Sequence, residues 1–119
     1  MHDRLIDTYI ACWNEAAADR RAALAGEAFA TTATYLDPLM EGRGPDGIAA
    51  MIGRAQARFP GLRFRRCGTV DAHHDLLRFR WELAAGDGPA VAAGTDFAEL
   101  AADGRFARVT GFIDLAPGA

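Results

Sequence analysis

The sequence predicts an α+β fold: a curved, mostly antiparallel sheet wraps around three N-terminal helices and forms a cone with an internal pocket. Two observations lead to this prediction. Apolar residues recur at the helical period as far as Pro60 and at the strand period of two beyond it. Hairpin turn signals at 86–89 (GDGP) and 103–104 (DG) then divide the second half into strands. Helices followed by a run of antiparallel strands are typical of the α+β class.

Three helices are predicted in the first half of the chain. The first spans 3–17 with Asp3 as N-cap, and the second spans 20–29. The third opens at 44–46 (GPD), since proline suits the first helical position, and ends before Pro60. Their apolar stripes are Leu5, Ile6, Tyr9, Ile10 and Trp13; Leu24, Ala28 and Phe29; and Ile48, Met51, Ile52, Ala55 and Phe59.

Five strands complete the predicted fold. A short strand over 32–36 lies between the second and third helices, and Asp37-Pro38 ends it. Four more are expected near 62–72, 74–85, 89–101 and 105–115. Within 77–83 (LRFRWEL), apolar and charged residues alternate, so one face of the sheet is apolar and the other is wet. A domain this small gains stability from pairing, so we expect a homodimer formed through the sheet face opposite the cavity.

Size and charge restrict the function. A chain of 119 residues suits one domain, residues 1–119, with one core. The net charge is −3 and the arginines are scattered, which argues against nucleic acid or an anionic membrane as partner. The start lacks the apolar run of a signal peptide, and no stretch reaches the roughly 18 residues needed to span a bilayer, so we expect a cytoplasmic protein. Cys12 and Cys67 lack metal-binding spacing and are expected to be reduced.

Three motifs are interpreted as structural. The pattern G-x-G-x-x-G at 42–47 would need a βαβ unit to bind a dinucleotide, and an antiparallel meander follows the helix instead. His73 and His74 are neighbours that should point to opposite faces of a strand, which predicts a polar hairpin end rather than a metal site. The chain contains no serine, so a serine-based hydrolytic triad is excluded. We expect neither metal nor cofactor.

Two aspartates are the candidate functional residues that the sequence pattern itself indicates. Asp96 lies mid-strand and shares its period-two face with small apolar residues, so it either lines a cavity or pairs with a partner. Asp37 precedes a proline and is either a turn former or a base that faces the pocket. Tyr9 is, by default, a core aromatic residue with its hydroxyl at the rim.

Seven segments together resemble one superfamily: YIACWNE, TATYLDP, GIAAMI, FPG, RFRWEL, GTDFAELAADGR and VTGFID. The chain resembles, over nearly its whole length, the nuclear-transport-factor-2-like superfamily in its SnoaL-like and ketosteroid-isomerase-like branch. The resemblance implies that Asp37 is a general base and that Tyr9 and Asp96 are oxyanion donors. It assigns Phe79 and Trp81 to the cavity wall. Two positions depart from that pattern: Ile52 replaces a buttressing tyrosine, and Trp81 replaces a smaller side chain.

The sequence therefore predicts a protein that binds an apolar small molecule. Its candidate ligand-pocket residues are Trp13, Phe29, Met51, Phe59, Phe64, Phe79 and Trp81. The resemblance implies a cofactor-free acid–base enzyme of the isomerase, polyketide-cyclase or dehydratase type acting on an apolar carbonyl compound. A ligand-binding or sensing domain without turnover remains the alternative. A purely structural dimerisation module is less favoured, because Asp96 would then be a buried polar cost without a use.

Overall fold

The change from helix to strand near Pro60 is confirmed in the computed structural model, which describes residues 2–116. The elements are α1 (Asp3–Asn14), α2 (Ala18–Ala28), β1 (Phe29–Leu36), β2 (Glu41–Arg43), α3 (Gly44–Arg58), β3 (Arg63–His73), β4 (Leu76–Ala84), β5 (Ala90–Leu100) and β6 (Phe106–Leu115). Within the described range, no helix has both the length and the apolar character needed to cross a bilayer.

The strands form one open six-stranded sheet in the order β2-β1-β6-β5-β4-β3. Every neighbouring pair is antiparallel except β1 and β6, which run parallel. The register shifts within the β3–β4, β4–β5 and β5–β6 pairs. Such irregularities bend a sheet, and the predicted curved, mostly antiparallel sheet is confirmed.

Element boundaries differ from the prediction where tertiary contacts decide them. Helix α1 ends at Asn14, three residues early, and Asp3 lies in its first turn, where it pairs with Arg66 at 2.8 Å, rather than capping it. Phe29 does not end α2 but begins β1, where it pairs with Phe106 of β6. Strand β2 was not predicted, because three residues are too few to show a period.

The core centres on Tyr9, which joins α1 to the sheet. Its ring meets Phe29, Phe79 and Phe106 edge-on, with centroid distances of 5.8, 5.5 and 5.4 Å. Edge-to-face contacts of this kind add roughly 0.5–1.5 kcal/mol per pair beyond area burial. The cluster therefore anchors the Tyr9 ring and determines where its hydroxyl points.

Polar side chains hold the C-terminal end of α1. Asn14 donates to the Phe64 carbonyl and accepts from the Phe64 amide, both at 2.8 Å. Gln56 of α3 donates to the Trp13 carbonyl at 2.9 Å. Arg21 of α2 donates to the Glu15 carbonyl at 2.9 Å. The last turn of α1 is thereby tied to a strand and to both other helices, which fixes the backbone of Trp13.

Candidate functional site

A small cavity of about 50 Å³ lies between α1, α3 and the sheet. All three polar candidates, Asp37, Asp96 and Tyr9, border it, as do four of the predicted pocket residues: Trp13, Phe59, Phe64 and Trp81. The remaining lining residues are Ile10, Tyr35, Leu39, Met40, Ala55, Leu83, Ala92, Gly111, Phe112 and Ile113.

Three predicted pocket residues do not border this cavity. Phe29 and Phe79 pack against the ring of Tyr9 in the core. Met51 faces the same core from α3 and is 1% exposed. Their apolar spacing indicates burial correctly, but spacing does not distinguish a core residue from a cavity wall.

Asp96 is the one buried charged or polar residue of 2–116, with 1% exposure. It lies in the middle of β5 and shares its inward face with Ala92, Gly94 and Ala98. The Tyr9 hydroxyl donates to Asp96 Oδ2 at 2.7 Å, and the Trp81 indole N–H donates to Oδ1 at 3.2 Å. Burial raises the pKa of Asp96 to about 7; the two donors oppose this shift, and the charge of Asp37 adds to it.

Tyr9 and Tyr35 supply the phenol groups of the cavity. Burial, followed by the charge of Asp96, raises the pKa of both hydroxyls well above the ordinary tyrosine range. Both hydroxyls are therefore protonated donors at neutral pH.

Asp37 follows β1 directly, where it contributes to a turn and also faces the cavity. Its Oδ1 accepts from the amides of Leu39 and Met40 at 2.8 and 3.0 Å, which makes the turn. Its Oδ2 accepts from the Tyr35 hydroxyl at 2.6 Å, on the cavity side. The aspartate thus forms the turn and also borders the cavity.

Tyr35 was missed as a functional residue. It is 4% exposed, and its ring lies 5.6 Å from that of Trp13. Ile52, the position that the resemblance assigns to a second tyrosine, is fully buried in the core. A phenol therefore reaches the cavity from β1 instead of α3. The signal was the period of two, which places Ala33, Tyr35 and Asp37 on one side of the chain.

Gly111 of β6 lies next to both aspartates. A Cβ at this position would come within 2.9 Å of Asp96 Oδ1 and 3.2 Å of the Asp37 Cβ. It would also lie 3.4 Å from the Tyr35 hydroxyl. The glycine lets β6 pass beside both acids, so a side chain here would displace at least one of them. No sequence pattern indicates this contact.

Trp81 narrows the cavity, as its size suggested. Its indole lies across Gly94, where a Cβ would overlap the indole, and its ring packs at 5.4 Å on Phe64. A cavity of about 50 Å³ holds about four water molecules at 10–15 Å³ each. Drug-sized ligands occupy roughly 300–1,000 Å³. The site as it stands therefore suits a compact molecule.

The histidine pair lies at the exposed end of the β3–β4 hairpin, as predicted, but its two side chains do not diverge. His74 has left the strand and has a φ of 51°, and its Nδ1 lies 3.0 Å from that of His73. Neighbouring side chains diverge in a regular strand, and the positive φ of His74 removes that divergence at this turn. Among residues 2–116, no group of three or more His, Cys, Asp or Glu is placed to hold a metal ion.

Known proteins agree on the fold. Residues 6–109 match the SnoaL-like domain family. A candidate isomerase of the SnoaL-like family from Agrobacterium tumefaciens is 48% identical, with TM-score 0.89 over 95% of this chain and 97% of that one. A candidate polyketide cyclase from Sinorhizobium meliloti is 18% identical, with TM-score 0.69 over 91% and 93% of the two chains.

A third structure is that of a protein of unknown function with a cystatin-like fold from Methylobium petroleophilum. It is 23% identical, with TM-score 0.73 over 98% of this chain and 77% of that one. No curated protein matches the chain significantly. The family match covers most of the chain, and the 48% identical structure spans nearly all of it. The chain belongs to the SnoaL-like domain family.

Proposed function

We propose that this protein binds a compact, apolar carbonyl compound in the cavity and moves a proton on it by cofactor-free acid–base catalysis. The observation that supports this proposal is the pair of carboxyl groups beside Gly111, one buried with a raised pKa and one bound by turn amides. Two acids in such different surroundings can divide the roles of base and acid within one cavity. Double-bond isomerisation of an enone is the simplest reaction of this kind.

In this mechanism Asp37 is the base. Its carboxylate takes a proton from the carbon next to the carbonyl. The C–H electrons form a double bond to the carbonyl carbon while the C=O π electrons move to the oxygen, which gives a dienolate. The same proton then returns from Asp37 to the γ-carbon, which shifts the double bond into conjugation. No electrons are gained or lost overall, so the step needs no redox cofactor.

Asp96 and Tyr9 hold the oxygen on which negative charge develops. Neutral Asp96 can donate its proton to Tyr9 Oη, which lies 2.7 Å away, and the Tyr9 O–H is then free to donate to the substrate oxygen. Donors that are already in place, away from water, stabilise a developing oxyanion more than solvent does. Burial raises the pKa of Asp96 to about 7, which favours its neutral form.

Binding without turnover is the second candidate. The small cavity and the three hydrogen bonds already made by Asp37 favour it, because a base must turn a free lone pair to the substrate. Two carboxylate oxygens offer about four acceptor sites, so one remains for a substrate proton.

Isomerisation of cyclopent-3-en-1-one to cyclopent-2-en-1-one separates the two candidates. The probe has six non-hydrogen atoms, which suits the small cavity. An enzyme accelerates the reaction above the buffer rate, and Asp37→Asn abolishes the acceleration. Exposed Asp87 provides the matched control, Asp87→Asn, which should keep the full rate. If the probe binds but reacts no faster than in buffer, the protein is a binder and the catalytic proposal fails.

We also propose a homodimer formed through the sheet face opposite the cavity. Phe97 and Phe112 follow the inward-facing Asp96 and Gly111 along β5 and β6, so their side chains point to this face, although Phe112 also borders the cavity. They are 43% and 54% exposed, and their rings lie 5.7 Å apart. Burying them against a second copy would remove apolar area from water at about 25 cal/mol per Å². Light scattering at micromolar concentration should give the mass of two chains, and Phe97→Arg, a change outside the cavity lining, should give one. A monomeric wild-type protein would reject the dimer.

A further inference from the structure

One buried donor has no acceptor. Among the described residues, the Trp13 indole Nε1 is the one buried side-chain nitrogen or oxygen without a hydrogen-bond partner. Trp13 is 6% exposed, so water outside the protein does not compensate. Buried polar groups in folded proteins are nearly always bonded, and an exception calls for a physical reason.

The unpaired donor lies at the cavity. Trp13 borders it, with its ring between those of Tyr35 at 5.6 Å and Phe64 at 5.1 Å. One helical turn earlier on the same face is Tyr9. The indole N–H lies near enough to the Tyr9 hydroxyl to oppose slightly the rise that burial causes in the Tyr9 pKa, but its geometry does not make a hydrogen bond.

The other donors around the cavity are all engaged. Tyr9 donates to Asp96, Tyr35 donates to Asp37, and Trp81 donates to Asp96. The two tryptophans therefore differ: the indole of Trp81 serves a protein carboxyl group, whereas that of Trp13 serves no protein atom.

Trp13 is also held in place. Its carbonyl accepts from Gln56, and the next residue, Asn14, makes two hydrogen bonds with the backbone of Phe64. The indole ring itself packs on the rings of Tyr35 and Phe64. A donor held by both its backbone and its ring contacts is restricted in direction, which is the condition for a preorganised ligand contact.

We propose that the Trp13 indole N–H donates a hydrogen bond to a ligand oxygen that lies beside the Tyr9 hydroxyl. An indole N–H only donates, so the ligand atom must be an acceptor, and an amine or ammonium group does not fit. The nearby Asp37 and Asp96 disfavour a ligand carboxylate by like-charge repulsion, so the oxygen is an uncharged acceptor. In the proposed carbonyl ligand, this acceptor is the carbonyl oxygen. The inference rests on the proposed binding of a carbonyl compound but does not require turnover.

The test compares two ligands of the same shape. Cyclopentanone has the carbonyl oxygen, and methylenecyclopentane has a CH₂ group in its place. Each is titrated into ¹⁵N-labelled protein while the two indole resonances are followed, with Trp13→Phe and Trp81→Phe used for assignment. Cyclopentanone should move the Trp13 indole proton downfield, and methylenecyclopentane should not. Trp13→Phe should weaken cyclopentanone binding about tenfold and leave binding of methylenecyclopentane unchanged.

The outcomes are distinguishable from those of the isomerisation assay. The Trp13 inference alone is overturned by either of two results. In the first, the chemical shift of the Trp13 indole proton does not change while other cavity resonances shift. In the second, it changes equally with both ligands. A downfield shift in a protein that does not isomerise cyclopent-3-en-1-one keeps the inference and rejects only the catalysis. The wild-type titration decides the matter even if Trp13→Phe fails to fold. If cyclopentanone moves no cavity resonance at its solubility limit, both proposals fail.

Discussion

Asp96 and Asp37 are the same residue type and both lie next to Gly111, yet their surroundings differ. Asp96 lies mid-strand, and both of its oxygens accept from side chains, those of Tyr9 and Trp81. Asp37 lies just past a strand end, and one of its oxygens accepts from two backbone amides. The backbone groups of a central strand are used by its neighbours, whereas a turn leaves amides free. Position along the backbone therefore decides which donors reach each carboxyl group.

The two sites also differ in how far along the chain their partners lie. Tyr9 is 87 residues from Asp96 and Trp81 is 15 residues away, whereas the partners of Asp37 lie within three residues. The environment of Asp37 can form as a local turn. The environment of Asp96 exists only after α1, β4 and β5 have packed together, and burial in that packed state raises its pKa.

The largest expected effect comes from Asp37→Asn. If Asp37 is the base, the amide cannot accept the proton, and kcat/KM for cyclopent-3-en-1-one should fall about a thousandfold. The turn should survive, because the asparagine oxygen can still accept from the Leu39 amide. Steady-state kinetics measure the effect, with Asp87→Asn as control. A loss of threefold or less would assign the base elsewhere.

Asp96→Asn should have the second largest effect. Asparagine keeps the shape and can still bond Tyr9 and Trp81, but the acidic proton is gone, and the rate should fall about a hundredfold. The same kinetics measure it beside Asp37→Asn. A greater loss from Asp96→Asn than from Asp37→Asn would reverse the two roles, with Asp96 as the base.

The stability of the wild-type protein should depend on pH through Asp96. Burial raises its pKa in the folded state to about 7 from an ordinary value of 3.8, so between these values the folded state binds more protons than the unfolded state. The free energy of unfolding should therefore fall by roughly 2–3 kcal/mol from pH 5 to pH 8 through this group, and level off above.

Urea denaturation of wild-type protein and Asp96→Asn across that range measures this difference. The variant lacks the titrating carboxyl group, so its stability should stay flatter with pH than that of the wild type. Parallel curves for the two proteins would mean that the pKa of Asp96 is not raised in the folded state. That result would contradict the prediction.

Tyr35→Phe should have the smallest effect. It removes the hydrogen bond to Asp37 Oδ2 and leaves both backbone amides in place. A lost hydrogen bond of this kind is worth about 1 kcal/mol, so kcat/KM should change about fivefold. The phenylalanine ring keeps the contact with Trp13, so folding should be unaffected. A loss as large as that of Asp37→Asn would show that the Tyr35 hydroxyl contacts the reacting atoms.

The sequence by itself determined those features that depend on neighbours along the chain. The apolar periods define three helices and the long strands. The turn sequences GDGP and DG separate strands, and Asp37 before proline defines a turn. The period of two also placed Asp96 among small apolar residues on one face, and the structure buries that face. These features follow from backbone geometry, which acts over a few residues.

Only the tertiary structure decided which distant side chains meet. It brought Tyr35 and Gly111 to the carboxyl groups, directed Trp81 at Asp96, and left the Trp13 indole unpaired. It also placed Phe29 and Phe79 in the core rather than at the cavity. Apolar spacing reports that a side chain leaves water, but the atoms it then contacts depend on how helices pack on the sheet and where strands shift register.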